Sequence, residues 1–184
     1  MDAITLLKSD HRSVEKLFKQ FEKAGERAHA TKAKLVAAMI RELSVHAAIE
    51  EQAFYPAARR AVSHTNAMVL ESLEEHHIVK WLLSELEGMD PTDERFEAKV
   101  TVLIEQVRNH VEEEERDLFP QVEKGLGETR LAEVGEALEG AKRTAPTRPH
   151  PRSADTPPAN LVTGLVAGAM DLARDVVKGV TSRR

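Results

Sequence analysis

The chain has 184 residues, 41% of them hydrophobic and 31% charged, with a net charge of −5 and no cysteine. That balance is ordinary for a soluble domain with a core of its own, and the missing thiols exclude disulfides, thiolate–zinc sites and iron–sulfur clusters. The charge is uneven, −10 over residues 1–140 and +5 over residues 141–184, so the larger part is a poor partner for nucleic-acid phosphates.

Along residues 1–140 the apolar residues recur at three- and four-residue steps, which predicts helices throughout. The first stripe is Leu7, Val14, Leu17, Phe18 and Phe21, and the second is Leu35, Met39, Leu43 and Ile49. A third runs through Met68, Leu70, Leu73, Val79, Leu82, Leu83 and Leu86, and a fourth through Val100, Leu103, Ile104, Val107, Val111 and Leu118. Stop signals separate them: Gly25 near Thr31, Ser63 to Asn66, and Gly88 with Asp90-Pro91-Thr92. Four long helices with short connections predict an all-α, up-down-up-down four-helix bundle. Leu131, Val134 and Leu138 predict a short fifth helix over about residues 128–140. Trp81 is expected to pack, and Pro56 and Pro120 to bend or end their helices.

Five of the eight prolines fall between residues 145 and 158, so residues 141–160 read as an extended, flexible linker. Residues 161–184 read as an amphipathic tail helix. Leu161, Val162, Leu165, Val166, Ala169, Met170, Ala173, Val176, Val177 and Val180 share one face, with Asp171, Arg174, Asp175 and Lys178 opposite. Gly164 and Gly168 add a small-x3-small spacing that lets helices approach closely. Such a tail would dock on its own bundle or on a second copy; attachment to a membrane surface fits its mixed charge least. No basic segment followed by an apolar one opens the chain and no run is long enough to span a bilayer, so a cytoplasmic location is expected.

The two halves of the bundle resemble each other. His46-Ala-Ala-Ile-Glu50-Glu51 leads to Tyr55-Pro56 just as His110-Val-Glu-Glu-Glu114-Glu115 leads to Phe119-Pro120, an H-x3-E-E-x3-[YF]-P pattern repeated 64 residues apart. Asp10-His11 with Val14, Leu17 and Phe21 likewise matches Glu75-His76 with Val79, Leu82 and Leu86, 65 residues apart. Residues four apart share a helix face, so His46 with Glu50 and His110 with Glu114 each present an imidazole and a carboxylate together. His11 and His76 lie beside the apolar stripes and point inward. Four imidazoles and two carboxylates then meet in the core, where such groups are costly unless paired or metal-bound. A cation or a pair of cations resolves that cost. His77 points about 100° away from His76 on an ideal helix and is assigned to the outer shell or the surface, while His29, His64 and His150 fall in predicted connections and carry no role.

With these motifs the sequence resembles the hemerythrin-like domains, the HHE cation-binding four-helix bundles, over about residues 3–122. The resemblance implies two non-haem iron ions bridged by carboxylates and an oxygen. It implies His11, His46, His76 and His110 as terminal ligands and Glu50 and Glu114 as bridges, with Glu115 the rival of Glu114. Imidazole and carboxylate donors also accept Mn or Zn. The oxygen-carrying members have a fifth histidine in H-x3-H on the third helix; here Ser72 and Lys80 flank His76 at those steps. One ligand fewer leaves a coordination position for water, hydroxide, peroxide or a side chain such as Tyr55. Three functions are expected in this order: a di-iron protein binding O2, H2O2 or NO with catalase- or peroxidase-like turnover, an oxygen- or iron-responsive module whose tail reports occupancy, and a redox-silent metal bundle. Val14, Ile49, Val79, Val107 and Val111 are expected to wall the site and admit only small ligands.

Overall fold

Asp2 opens the first helix: its carboxylate accepts the Thr5 amide at 2.9 Å and supplies one of the bonds a helix start lacks. The structure, a computed structural model, describes residues 1–153, 155, 160, 164–171 and 173–174. Helix α1 spans Ala3–Lys23 and α2 spans His29–Ile49. A π-helical turn, Glu50–Phe54, joins α2 to α3, Tyr55–Ala61, so that one long rod results. Helix α4 spans Asn66–Leu86 and ends at Gly88, whose φ of 80° only glycine adopts without strain. Asp90 then folds the connection by accepting the Thr92 amide at 2.8 Å. Helix α5, Phe96–Glu113, passes through a second π-helical turn, Glu114–Leu118, into α6, Phe119–Lys142. The four rods run up-down-up-down, as the sequence predicts, and no helix among the described residues is long and apolar enough to cross a membrane.

The predicted fifth helix is the part of α6 beyond Gly127, where the chain kinks through a non-helical φ of 70°. It crosses the start of α1, placing Leu131 and Leu138 against Ala3, Ile4 and Leu7. Gly135 is required there, because a Cβ on it would lie 2.1 Å from the Met1 carbonyl oxygen.

Neither Pro56 nor Pro120 ends its helix. A proline lacks the N–H an α-helix needs and its ring presses on the preceding turn; here the turn ahead of it widens to the π form, and helix continues beyond. The Tyr55 N–H bonds the Glu50 carbonyl and the Phe119 N–H bonds the Glu114 carbonyl, five residues back in each case.

The core divides into two apolar clusters. One, near the chain start, holds Leu7, Ile49, Phe54, Tyr55, Phe119 and Leu138. The other holds Phe18, Met39, Leu83, Phe96, Val100 and Leu103. Full burial of side chains of this size contributes roughly 1.5–3 kcal/mol each. Between the clusters each rod contributes one histidine: His11 between Leu7 and Val14, His46 between Leu43 and Ile49, His76 between Leu73 and Val79, and His110 beyond Val107. A polar belt therefore crosses an otherwise apolar bundle. Two residues assigned to packing lie outside it: Trp81 and Leu70 are 50% and 46% exposed on the outer face of α4.

The stretch after α6 packs against the bundle where it is described. Residues 145, 146 and 149, expected in a free linker, are buried. Residues 164–171 are helical, but with the opposite face inward from the one the apolar stripe predicts. Asp171 is fully buried and accepts the main-chain amides of Thr147 and Arg148, both at 3.1 Å, while Leu165, Val166 and Met170 are exposed. The glycines explain the inversion. A Cβ at position 168 would lie 2.1 Å from the Thr144 carbonyl oxygen, so only the small-residue face lets the backbones come this close. The remaining residues of the predicted linker and tail helix lie outside the described residues.

Candidate metal centre

Each histidine of the belt has an inner and an outer nitrogen, and the two are occupied differently. The outer Nδ1 of His11 lies 2.8 Å from Glu115 Oε1, that of His76 3.0 Å from Glu51 Oε1, and that of His110 2.7 Å from Glu75 Oε2. The outer nitrogen of His46 is 3.6 Å from Asp10 Oδ2. An ionised carboxylate only accepts, so at His11, His76 and His110 the outer nitrogen donates and the inner Nε2 of the neutral ring presents a lone pair, while His46 Nδ1 has no partner within hydrogen-bond distance. These inner atoms meet in pairs, His11 with His46 at 3.1 Å and His76 with His110 at 3.2 Å. Two facing lone pairs repel, and a cation held between them removes the repulsion.

The carboxylates of Glu50 and Glu114 lie between the two pairs. Glu50 Oε2 is 3.2 Å from His46 Nε2 and 3.4 Å from His76 Nε2. Glu114 Oε2 is 3.6 Å from His11 Nε2 and from His110 Nε2 alike. Each thus faces one histidine of each pair, the placement a bridging carboxylate needs. Both oxygens of Glu50 and Oε2 of Glu114 are buried with no hydrogen-bond donor. The fourth oxygen, Glu114 Oε1, accepts the Tyr55 hydroxyl at 3.0 Å, and that hydroxyl also lies 3.2 Å from His76 Nε2. Two groups of donor atoms are close enough to hold an ion: His11, His46, Glu50 and Glu114 at a first position, and Glu50, His76 and His110 at a second. Imidazole nitrogens grouped with carboxylate oxygens, three of the latter without a donor, fit cations of the Fe, Mn or Zn type.

The electrostatics follow from burial. It pulls His11 down to about 4, helped by the neighbouring His46, and it holds His46 low and His76 well below the usual imidazole range. Burial acts on His110 in the same sense, but Glu114 and Glu75 outweigh it and the net shift is upward. Burial and the adjacent Glu114 raise Glu50 well above the ordinary carboxylate range. Glu51 is pushed up to about 7 by burial, although Lys80 opposes the shift. Without a cation, then, Glu50 is driven to keep its proton while His11 and His76 are neutral.

All six residues that the sequence singles out meet in this belt, with Tyr55 at its edge. Glu115 does not compete with Glu114: it faces the outer nitrogen of His11, with its side chain 36% exposed. Of the outer carboxylates only Glu115 was singled out from the sequence, and as a rival ligand, yet the four sit at matched positions of the repeat, Asp10 with Glu75 and Glu51 with Glu115. Their pattern is crossed: Glu51 in the first half serves His76 in the second, and Glu115 in the second serves His11 in the first. An acid adjoining His11, Glu50, His76 and Glu114 was the available signal. Two lysines back this shell, Lys80 on Glu51 Oε2 at 2.7 Å and Lys142 on Asp10 Oδ1 at 2.6 Å. His77 and His64 are exposed, His29 meets the Pro91 carbonyl oxygen at 3.2 Å, and His150 meets Asp171 at 3.2 Å.

Fold and site together define a helical-bundle metal-binding protein. The hemerythrin HHE cation-binding domain model matches residues 2–122, and the chain belongs to that family. It is 28% identical over 170 residues to an uncharacterised hemerythrin-like protein of Schizosaccharomyces pombe, covering 92% of this chain and 83% of that one. It is 23% identical over 142 residues to a DNA nickase of Nostoc sp., covering 77% of this chain but only 39% of the nickase. The crystal structure of a hemerythrin HHE cation-binding domain-containing protein from Mycobacterium kansasii shares the fold, with a TM-score of 0.66 at 24% identity over 78% of this chain and 86% of that one.

Proposed function

We propose that the chain is a non-haem di-iron protein that binds small oxidants, H2O2, O2 or NO, and turns over peroxide. The observation carrying this reading is the meeting of four imidazole Nε2 atoms and three donor-less carboxylate oxygens in one buried belt. His11 and His46 would hold one ion and His76 and His110 the other, with Glu50 and Glu114 shared. A bound iron pair would supply a two-electron Fe(II)/Fe(III) couple. The chain's own residues set what reaches it. Val14, Ile49, Val79 and Val107 are buried around the belt and exclude bulk water. A groove of about 890 Å³ between α1 and α5 has Val14, Phe18, Val107 and Val111 on its walls and His11 on its lining, a path fit for small ligands. Tyr55 holds a proton at its hydroxyl oxygen against Glu114, beside the His76/His110 position. Burial and Glu114 raise the phenol well above its ordinary range, which keeps that proton in place.

The test is oxygen evolution from H2O2 by the iron-loaded chain, compared with Glu114→Ala. Evolution by the parent that falls at least a hundredfold in the variant is expected. Intact iron loading with no evolution would overturn turnover and leave the iron- or oxygen-responsive module, the reading favoured by the contact of the C-terminal segment with the Glu51 carbonyl.

A further inference from the structure

The π-helical turn after α2 leaves one main-chain acceptor without its partner. The Tyr55 N–H is committed to the Glu50 carbonyl, and the next donor in that register would come from residue 56, which is proline. The Glu51 carbonyl is therefore orphaned, on a residue only 4% exposed. Asn160 supplies the missing donor: its side-chain amide donates to the Glu51 carbonyl oxygen at 2.9 Å, from a residue itself 3% exposed. The same amide also reaches the Asp155 carbonyl at 3.1 Å, which ties it to its own segment.

Glu51 is not a neutral place for such a contact. Its carboxylate faces His76 Nδ1 at 3.0 Å and accepts Lys80 Nζ, so the main-chain position of Glu51 sets the aim of the His76 ring. The rest of the segment is anchored independently. Asp171 gathers the Thr147 and Arg148 amides and His150, and Gly168 packs its backbone onto Thr144. All of this lies outside residues 2–122, the span that defines the family. The other half of the belt is held without it: His11 is oriented by Glu115, and Lys142 backs the Asp10 carboxylate that faces His46.

We propose that the C-terminal segment is a positioning element of the metal centre: docked, it places the Asn160 amide on the Glu51 carbonyl, which fixes Glu51 against His76 and selectively strengthens metal binding at the His76/His110 position. The inference rests on the reading that this position holds a cation. Occupancy and docking are then reciprocally coupled, so an ion at His76/His110 also holds the segment down.

The experiment uses Co(II), whose visible bands report ligand geometry, titrated into the full chain in two backgrounds. His46→Ala keeps the His76/His110 position intact, and His110→Ala keeps the His11/His46 position intact. Asn160→Asp, which replaces the donor by an acceptor of the same shape, is expected to weaken Co(II) binding about tenfold and alter its bands in the first background, and to change affinity less than twofold in the second. Gly168→Ala, far from every ligand, should reproduce the selective loss by lifting the segment off Thr144. Equal losses in both backgrounds would reduce the segment to a general stabiliser and overturn the proposal, as would no change in either. Failure of both backgrounds to bind Co(II) with Asn160 present would refute the metal reading itself.

Discussion

Replacing Glu50 by methionine should stabilise the metal-free protein while removing the stabilisation that metal confers. Glu50 is 0% exposed, and neither carboxyl oxygen has a donor within the chain. An unsatisfied buried polar atom costs about 1–3 kcal/mol, and an apolar side chain of similar shape avoids that cost. Allowing for imperfect packing of the thioether, a net gain of about 2 kcal/mol is expected. In a chain of 184 residues that corresponds to a rise in Tm of roughly 4–8 °C. The pH dependence has a definite sign. Glu50 has its folded pKa raised well above 4.5, so its contribution is intact below that value and is lost as pH rises toward the folded pKa. The variant's advantage should therefore be largest near pH 7.5 and should shrink toward pH 4.5. Thermal unfolding by circular dichroism, in chelator and in anaerobic Fe(II), measures both sides. Parent protein at a thousandfold excess of Fe(II) over Kd gains about 4 kcal/mol, and the variant should gain far less. A metal-free Tm at pH 7.5 that falls in Glu50→Met would show Glu50 to be satisfied without an ion.

Three further outcomes follow from the same geometry. Fe(II) binding at pH 6.5 should release protons, from Glu50 and His110 whose pKa values are raised, and not from His11 or His76, which are held low; calorimetry in buffers of different ionisation enthalpy would show it, and heats independent of buffer would contradict it. Leu83→Ala, at a fully buried position in the cluster away from the chain start, should cost about 2–5 kcal/mol in denaturant unfolding yet leave metal stoichiometry unchanged. Gly135→Ala should lower stability by about 1–3 kcal/mol, because its Cβ would meet the Met1 carbonyl oxygen and force the start of α1 away from α6; unchanged unfolding would show that the fifth helix does not pack as described.

The helices and the histidine belt were legible because both are periodic. Residues spaced three and four apart must share a face on any α-helix, which places Leu7, His11, Val14 and Phe18 in one line facing the core. The repeat then doubles the signal by pairing His46 and Glu50 with His110 and Glu114. Periodicity fails where the helix leaves the α form. A π-helical turn begins at Glu50 and at Glu114, and it carries Glu51 and Glu115 round to the histidines of other rods. Pro56 and Pro120 marked those turns, but a proline that ends a helix and one that widens it look alike in sequence. The tail misled for a different reason: the apolar stripe and the glycine stripe proposed opposite inward faces, and close backbone approach at Gly168 with the buried Asp171 decided between them. The outer carboxylates were visible as residues but not as partners, since the contacts of His11 with Glu115 and His76 with Glu51 cross from one half of the repeat to the other.

Iron content with an electronic spectrum tests the proposed pair of ions sharing Glu50 and Glu114. Protein reconstituted anaerobically with Fe(II) and then exposed to air should carry about two irons per chain, with near-ultraviolet oxo-bridge bands that H2O2 perturbs. His76→Ala combined with His110→Ala should keep the iron at His11/His46 and lose those bands. A parent chain that takes up no iron, or a single iron without bridge bands, would contradict the account.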